Sequence, residues 1–465
     1  MKPMVNLLLG FVLLAVSHLT AWADPLTPPE NIQLRFQNIP TTKSITQHGI
    51  TWTFAYPIGY GKFVNGDYWV VDSGSGVEIK SIAPLSTNVS GRIMNGSMIN
   101  PIPMGKQGYD STLANTAYDQ ALNAGRPGGN DLSISNPLVI LGPASLVSTS
   151  TNATAGTRPQ LQDAEVLTIL TAPPPAGSFR PPYAGTNKTL NWRTANIQWQ
   201  LLPHLSKSGI THLPDLAALS SQIERVWLDQ GGGTWTGRYF HPSRNMPDYG
   251  RDMANVTSNV ALALLLDYAQ PEIEPLMIRF LQLGIDWYGV TESAPNILTT
   301  SSQGGLWCGG GGHGQGRKWP IIFAGKMFND NNILKYANGV TYPVFQEEQQ
   351  YFYVSQADVD RARYTADGNL RDPYAVEMIG IPEWGEQHRN QPNRDGSNWD
   401  AAYRDIVSKS IAGHVLAATL MGAKSIWNWP SFFDYQVRWA IHQKSVGSTI
   451  SYSTFVDDMH TAFPQ

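Results

Sequence analysis

Charged side chains, cysteine and long apolar runs are all scarce in this chain of 465 residues. Only 15% of the residues are charged, against roughly 25% in ordinary globular proteins, and the net charge is -4. We therefore predict no nucleic-acid partner, since no basic surface is indicated. With Cys308 as the single cysteine, no disulfide can form within the chain. No segment beyond the N-terminus has the roughly 20 apolar residues of a membrane-spanning helix, so we predict no membrane association of the mature chain.

The first residues have the pattern of a secretory signal peptide. Lys2 precedes the apolar run from Leu7 to Val16, and Ala21-Trp22-Ala23 matches the small-x-small cleavage site. We predict cleavage between Ala23 and Asp24, and a secreted or periplasmic protein.

The mature chain is predicted to contain two domains. Residues 24–190 are rich in glycine, proline and β-branched residues, which indicates a β-rich domain, and a proline-rich stretch near residues 173–182 marks its end. The predicted strands are Thr51–Tyr56, Tyr68–Val71, Gly76–Ile82, Leu138–Leu141 and Val166–Leu170.

Residues 191–465 change to helical periodicity. The predicted helices are 214–227, 253–268, 274–288, 319–328, 401–421, 432–442 and 453–463. Twelve of the 15 tryptophans lie beyond residue 190, many in the connections between helices. Indole rings beside polar groups are what a groove for sugar rings requires.

Residues 241–252 are the first candidate site, because they gather polar side chains directly before an apolar helix. Functional groups on a loop that a rigid element holds suit an active site. The alternative is a helix N-terminus with surface ion pairs. The candidate residues are His241, Arg244, Asn245, Tyr249 and Arg251.

A glycine run at residues 309–316 also precedes a predicted helix. Its spacing matches neither a P-loop nor a dinucleotide fingerprint, so we predict no nucleotide and no other cofactor. Glycine allows a backbone to approach a ligand closely, with His313, Arg317, Lys318 and Trp319 as candidate contacts. A structural glycine loop is the alternative.

Carboxylates lie beside aromatic residues in two further segments, 345–353 and 381–389. Proline and glycine around Glu383 and Trp384 predict a rigid turn, where desolvation would raise a carboxyl pKa. An aromatic core with exposed acids is equally compatible. His313, Glu383 and His388 could meet, but no metal-ligand spacing is present, so no metal site is predicted. The chain also lacks the G-x-S-x-G motif of serine hydrolases.

Four motifs follow one another between residues 241 and 435. They are H-P-S-R-N-M-P-D-Y-G-R, G-G-H-G-Q-G-R-K-W-P-I-I-F-A-G, P-E-W-G-E-Q-H and W-N-W-P-S-F-F-D-Y. This order resembles a group of secreted bacterial proteins, some of them similar to alginate lyases. More distantly it is similar to polysaccharide lyases of the α/α-toroid type. The resemblance covers roughly residues 195–440. With it we expect an α+β multidomain fold: an N-terminal β-sandwich-like domain, then an (α/α) toroid or incomplete barrel.

The resemblance implies β-elimination on a uronic-acid polysaccharide of the alginate or glucuronan type. Such lyases neutralise the uronate carboxylate and then remove the C5 proton. Asn245 with Arg251 or Arg317 would hold the carboxylate, and Tyr249 and His313 would share the base and acid roles. The residues expected to bind substrate are His241, Arg244, Lys318, Trp319, Glu383, Trp384 and His388.

Two other functions are open at this point. A glycoside hydrolase on a similar toroid would use two carboxylates, Glu383 with Asp248, Glu347 or Glu348. A glycan-binding protein without activity would use the tryptophan-bearing connections alone.

Overall fold

A computed structural model describes most of the chain beyond residue 38, apart from several internal segments. The described residues are 39–113, 117–127, 131–232, 235–295, 306–307, 309–360, 374–385 and 402–464. The predicted cleavage site between Ala23 and Asp24, together with Cys308 and His388, lies outside them. Within these ranges, none of the helices is both long and apolar enough to cross a membrane.

The protein is an α+β protein with an N-terminal curled mixed sheet, a half-barrel, and a C-terminal helical region. The strands of the N-terminal region are β1 (Thr41–Gln47), β2 (Ile50–Lys62), β3 (Tyr68–Val71), β4 (Val77–Ala83), β5 (Thr87–Val89), β6 (Arg92–Met94), β7 (Ser97–Ile99), β8 (Leu138–Ile140), β9 (Ala144–Thr151) and β10 (Leu161–Leu170). Two short strands, β11 (Tyr351–Tyr353) and β12 (Pro382–Trp384), pair within the helical region.

The main sheet has the order β7-β9-β10-β3-β2-β4-β8, and β1 pairs with β2. Strand β2 bends the sheet, because its first residues pair with β4 and its last residues, Tyr60–Lys62, pair with β3. Its alternating pattern buries Ile50, Trp52 and Phe54 on one face, as a half-buried strand requires. The pairing of β10 with β3 is parallel and the other strand pairs are antiparallel.

Strand β10 is buried on both faces. Leu167 and Ile169 join the core inside the curled sheet, whereas Ala164 and Val166 join the core of the helical region. Successive side chains of a strand point to opposite faces, so an almost continuous apolar run can serve two cores at once.

Eleven α-helices beyond residue 215 are present among the described residues. They are α1 (Leu216–Gln222), α2 (Gly250–Ala263), α3 (Gln270–Ser293), α4 (Lys318–Phe328), α5 (Asn331–Leu334), α6 (Gln346–Gln350), α7 (Gln356–Val359), α8 (Ala402–Leu420), α9 (Lys424–Trp427), α10 (Pro430–Ser445) and α11 (Thr454–Ala462).

Glycines allow the long helices to pack closely in pairs. Helix α2 packs against α8, and a methyl group at Gly413 would lie 2.5 Å from the Ser258 Cβ atom. Helix α3 packs against α4, where a methyl group at Gly284 would overlap the carbonyl oxygen of Pro320. Both contacts are tighter than side chains with a Cβ atom allow.

The predicted strands and helices are confirmed in position, with shifts at their ends. The turn predicted at Glu383 and Trp384 is wrong, because these residues belong to β12 and pair with β11. Phe352 lies opposite Glu383 in this pair, so an antiparallel partner overrides the local preference of proline and glycine for a turn. The β-rich boundary at residue 190 stays a prediction.

Arg180 connects the sheet to the helices through a buried ion-pair cluster. Its guanidinium donates to Asp67, in the β2–β3 connection, and to both carboxylate oxygens of Asp286 on α3. Its backbone N–H donates to the Gln282 side chain over 3.1 Å. Arg180 is fully buried, so each carboxylate depends on it for charge compensation.

We expect Arg180→Met to lower the free energy of unfolding by about 3–5 kcal/mol, because it leaves two buried carboxylates unpaired. Urea denaturation followed by tryptophan fluorescence measures the change. Arg193→Met, at an exposed position, is the control. Equal denaturation midpoints for both variants would contradict the role assigned to Arg180.

Candidate active site

Two of the predicted site residues, Tyr249 and His313, are in contact. Their ring centroids are 4.7 Å apart with an interplanar angle of 74°. The backbone N–H of Gly312 donates to the Tyr249 hydroxyl oxygen over 3.1 Å. The loop before α2 and the loop before α4 therefore meet at a half-buried phenol and imidazole pair.

Glycine is required where these loops meet. A methyl group at Gly312 would lie 2.6 Å from the Tyr249 hydroxyl oxygen, and one at Gly250 would overlap the carbonyl oxygens of Gly312 and His313. The glycine run thus allows the close approach that brings the imidazole to the phenol.

An arginine and a tryptophan lie beside this pair. Trp235 is 53% exposed, and its ring lies 5.3 Å from that of His313. The Arg238 guanidinium is 5.1 Å from the Trp235 ring and 5.6 Å from the Tyr249 ring. Asp248 accepts a hydrogen bond from Arg238, whose buried Nε has no partner within the described part of the chain.

His313 is uncharged at neutral pH. Burial lowers its pKa to about 4, and the positive charges of Arg238 and Arg317 act in the same direction. A neutral imidazole can accept a proton, which is the first requirement of a general base.

Cationic and aromatic side chains continue on the other side of Tyr249. The Arg251 guanidinium lies 5.4 Å from the Tyr249 ring and 5.6 Å from that of Tyr452, while Asp252 accepts its Nε hydrogen bond at 2.7 Å. Lys409 lies 5.8 Å from the Tyr452 ring. Aromatic rings and cations thus alternate along this surface.

The buried carboxylate of Asp229 holds the two loops together. It accepts from Arg317 Nε at 3.0 Å and lies 3.4 Å from His241 Nε2. Arg317 also donates to the carbonyl oxygen of His313. Burial opposes ionisation of Asp229, yet Arg317 and His241 keep the pKa of its carboxyl below the ordinary value. Arg317 and His241 are buried and fix the loops, and we assign them as positioning residues rather than substrate ligands.

A second buried layer supports the glycine run. The side chains of Gln346 and Glu347 accept the backbone N–H groups of Gly314, at 2.9 Å, and Gly316, at 3.2 Å. Lys318 forms an ion pair with Glu348 in which both side chains are fully buried. Trp319 is likewise buried and stacks on Trp427. Lys318 and Trp319 therefore face the core, and we do not assign them to substrate.

Asn245 and Arg244 have their partners away from the contact between Tyr249 and His313. The Asn245 amide donates to the carbonyl oxygens of Arg225 and Val226, at 3.3 and 3.4 Å. Arg244 is paired with Asp163 of β10 at 3.2 Å. Their partners belong to the sheet and the segment before residue 227, so Asn245 is not brought to Tyr249 by these contacts.

Glu383 and Trp384 are buried in β12. Glu383 accepts a hydrogen bond from Arg404 on α8, and both side chains are fully buried. The following residue, Gly385, donates to the carbonyl oxygen of Gln350, against whose side chain Gly309 packs. The described part of the predicted segment 381–389 thus borders the glycine run through Gln350. His388 lies outside the described residues.

The part of the chain that the structure describes contains no group of three or more His, Cys, Asp or Glu side chains that could hold a metal ion.

Comparisons of the chain with protein-family models, curated proteins and solved structures give no match. The geometry alone therefore identifies site residues that the sequence reasoning missed, namely Trp235, Arg238, Asp229 and Tyr452. A signal existed for Trp235 and Arg238, because they follow Gly231 and Gly232 just before the polar segment.

The pKa of Glu347 predicts a change of stability with pH. Burial raises this pKa from 4.5 to about 7, so between these values the folded state holds a proton that the unfolded chain has lost. Stability must fall as the pH rises through this window. We expect Glu347→Gln to match the wild type at about pH 4 and to exceed it above about pH 7, by on the order of 3 kcal/mol.

Urea denaturation at both pH values measures this difference, with the exposed Glu377→Gln as control. A Glu347→Gln variant with the same pH dependence as the wild type would show that Glu347 is charged in the folded protein.

Proposed function

We propose that the protein is a polysaccharide lyase that cleaves a uronic-acid-containing polysaccharide, of the alginate or glucuronan type, by β-elimination. The contact between Tyr249 and the neutral His313, flanked by Arg238 and Arg251, carries this proposal. It combines a proton acceptor, a proton donor and cations for a carboxylate at one partly exposed place.

The chemistry of the reaction needs these three functions together. The uronate C5–H bond breaks, and its electron pair is delocalised into the neutralised carboxyl group. The C4–C5 double bond then forms as the C4–O bond breaks, and the leaving oxygen takes up a proton. Neutral His313 is suited to accept the C5 proton, and the Tyr249 hydroxyl is suited to protonate the leaving oxygen.

The substrate carboxylate must be neutralised before C5 becomes acidic enough to lose its proton. Arg238 is the best placed cation, because its guanidinium lies 5.6 Å from the Tyr249 ring and Asp248 orients it. Arg251, similarly oriented by Asp252, would bind the carboxylate of a neighbouring unit. We predicted Asn245 with Arg251 or Arg317 for this role, and the proposal keeps Arg251 and adds Arg238.

Export and the finer architecture belong to the same proposal. A polysaccharide substrate lies outside the cell, in agreement with a signal peptide that ends at Ala23. The packing of the consecutive helices α3 and α4 against each other supports a helical hairpin of the (α/α)-toroid type. The resemblance to alginate-lyase-like proteins points the same way.

A glycoside hydrolase is less well supported, because three of its four candidate carboxylates lie in the interior, and the fourth, Asp248, is paired with Arg238. Glu383 and Glu348 are fully buried in ion pairs with Arg404 and Lys318. Glu347 is buried beneath the glycine run. A hydrolase needs two carboxyl groups facing the glycosidic bond.

The activity is tested by incubating the purified protein with alginate and glucuronan and following unsaturated uronate absorbance together with reducing ends. We expect both signals to rise. His313→Ala and Tyr249→Phe should each lower kcat by at least ~100-fold, as loss of a positioned base or acid does. His204→Ala and Tyr56→Phe, at exposed positions, are the matched controls.

Reducing ends without unsaturated uronate would identify a hydrolase instead. Full activity of both His313→Ala and Tyr249→Phe would place the chemistry elsewhere in the chain.

The pH dependence gives a second test. A base with the lowered pKa of His313 is lost only as the pH falls through about 4, so the acid limb of kcat/KM should lie near that pH and below the ordinary histidine range. Arg238→Gln removes one of the charges that lower this pKa, so the limb should move to higher pH. A limb that stays in place in Arg238→Gln would argue against His313 as the base.

A further inference from the structure

A pocket lies at the end of α3, away from the candidate active site, and is formed with the segment that follows the proline-rich stretch. It has a volume of about 190 Å³. Pockets for drug-sized ligands have roughly 300 to 1,000 Å³. This pocket therefore suits a smaller ligand of about one ring.

Aromatic rings form its wall. Trp192 and Tyr288 line the pocket with their centroids 6.1 Å apart, and the Tyr336 ring lies 6.1 Å beyond that of Tyr288. Tyr288 is only half-buried, so part of its ring faces the space. An exposed aromatic face is the surface on which the C–H groups of a pyranose ring pack.

Polar groups complete the lining. Asn187, Asn191 and Thr186 supply amide and hydroxyl groups from the loop, and Glu292 supplies a carboxylate from α3. Burial and the nearby Glu292, to which its hydroxyl is hydrogen-bonded, raise the pKa of Tyr288 to about 12. Neighbouring sugar hydroxyls need such a mixture of donors and acceptors.

The loop that forms the pocket is held in place from inside. The Lys188 ammonium is buried and donates to the carbonyl oxygens of Pro182, Tyr183 and Ala184, over 2.6, 3.1 and 3.3 Å. Gly289 of α3 lets Pro182 pack directly against the helix, since a methyl group there would overlap its ring. A pocket that is already formed loses little entropy when it binds a ligand.

The charges favour an uncharged ligand. Glu292 is a pocket carboxylate, and its Oε2 already accepts from the Tyr336 hydroxyl and pairs with Lys335, at 2.8 Å in both cases. Lys188 points inward to the loop carbonyls. A uronate would bring its own negative charge next to Glu292 without a free cation to compensate it among the described lining residues.

We propose that this pocket binds a neutral pyranose unit of a glycan, separately from the site at Tyr249 and His313. It would anchor the protein to a neutral polysaccharide that surrounds or accompanies its substrate. The proposal does not rest on the lyase activity, since it uses different residues and a different class of sugar.

Isothermal titration with glucose-based and mannose-based hexasaccharides tests this binding in the full mature chain. An oligouronate is titrated in parallel into the His313→Ala variant, to prevent turnover. Tyr288→Ala, which removes the ring, should weaken binding of a neutral hexasaccharide at least ~tenfold, equivalent to about 1.4 kcal/mol. Asn191→Ala, at an exposed position, should weaken it without affecting the fold. Tyr56→Ala, an exposed tyrosine of β2, should bind like the wild type.

Binding that falls in Tyr288→Ala and Asn191→Ala but not in Tyr56→Ala supports the proposal. Should Tyr288→Ala fail to fold by circular dichroism, Asn191→Ala decides the question. The absence of neutral-sugar binding at millimolar concentration overturns the proposal, as do unchanged affinity in Asn191→Ala and binding of the oligouronate alone. Lyase activity should be unaffected by Asn191→Ala, so failure of either proposal is recognised separately.

Discussion

The arrangement of the site depends on one buried carboxylate, that of Asp229. It accepts from Arg317, lies against His241, and its own backbone N–H donates to the Tyr183 hydroxyl. These contacts join three segments: the polar loop that begins at His241, the end of the glycine run at Arg317, and the segment of Tyr183, which follows the sheet. An uncompensated charge in such a position costs several kcal/mol, so the three segments are held in a single arrangement. The positions of Tyr249 and His313 follow from it.

Buried ion pairs perform similar tasks elsewhere in the molecule. Lys318 with Glu348 fixes the beginning of α4, and Glu383 with Arg404 fixes β12 against α8. The chain has few charged residues, and several of them lie inside the protein in ion pairs. A buried pair is weak evidence for stability but it strongly penalises any arrangement that separates its partners. In this protein such pairs act where loops without regular secondary structure must keep a defined shape.

Much of the fold could be predicted from the sequence, since periodicity reports the local geometry directly. The alternation in β2 and the helical spacing of α2 are examples. The meeting of Tyr249 with His313 was also predictable in outline, because each lies in a glycine-containing loop before a helix. Burial was not predictable for Arg317, Lys318 or Glu383, because a sequence displays the chemical type of a side chain and not its partner. Asp229 gave no local signal, as its partners lie up to 88 residues away.

The double burial of β10 has a consequence for how such a protein can change over evolutionary time. Protein domains are often exchanged by recombination at their connecting segments. Here a replacement β-domain would need a strand whose one face fills the helical core, as Ala164 and Val166 do. The opposite face of the same strand would have to fill the core of its own sheet. An unrelated module would leave that face of the helices uncovered. The curled sheet and the helical region are therefore expected to be inherited together, as a single unit of descent.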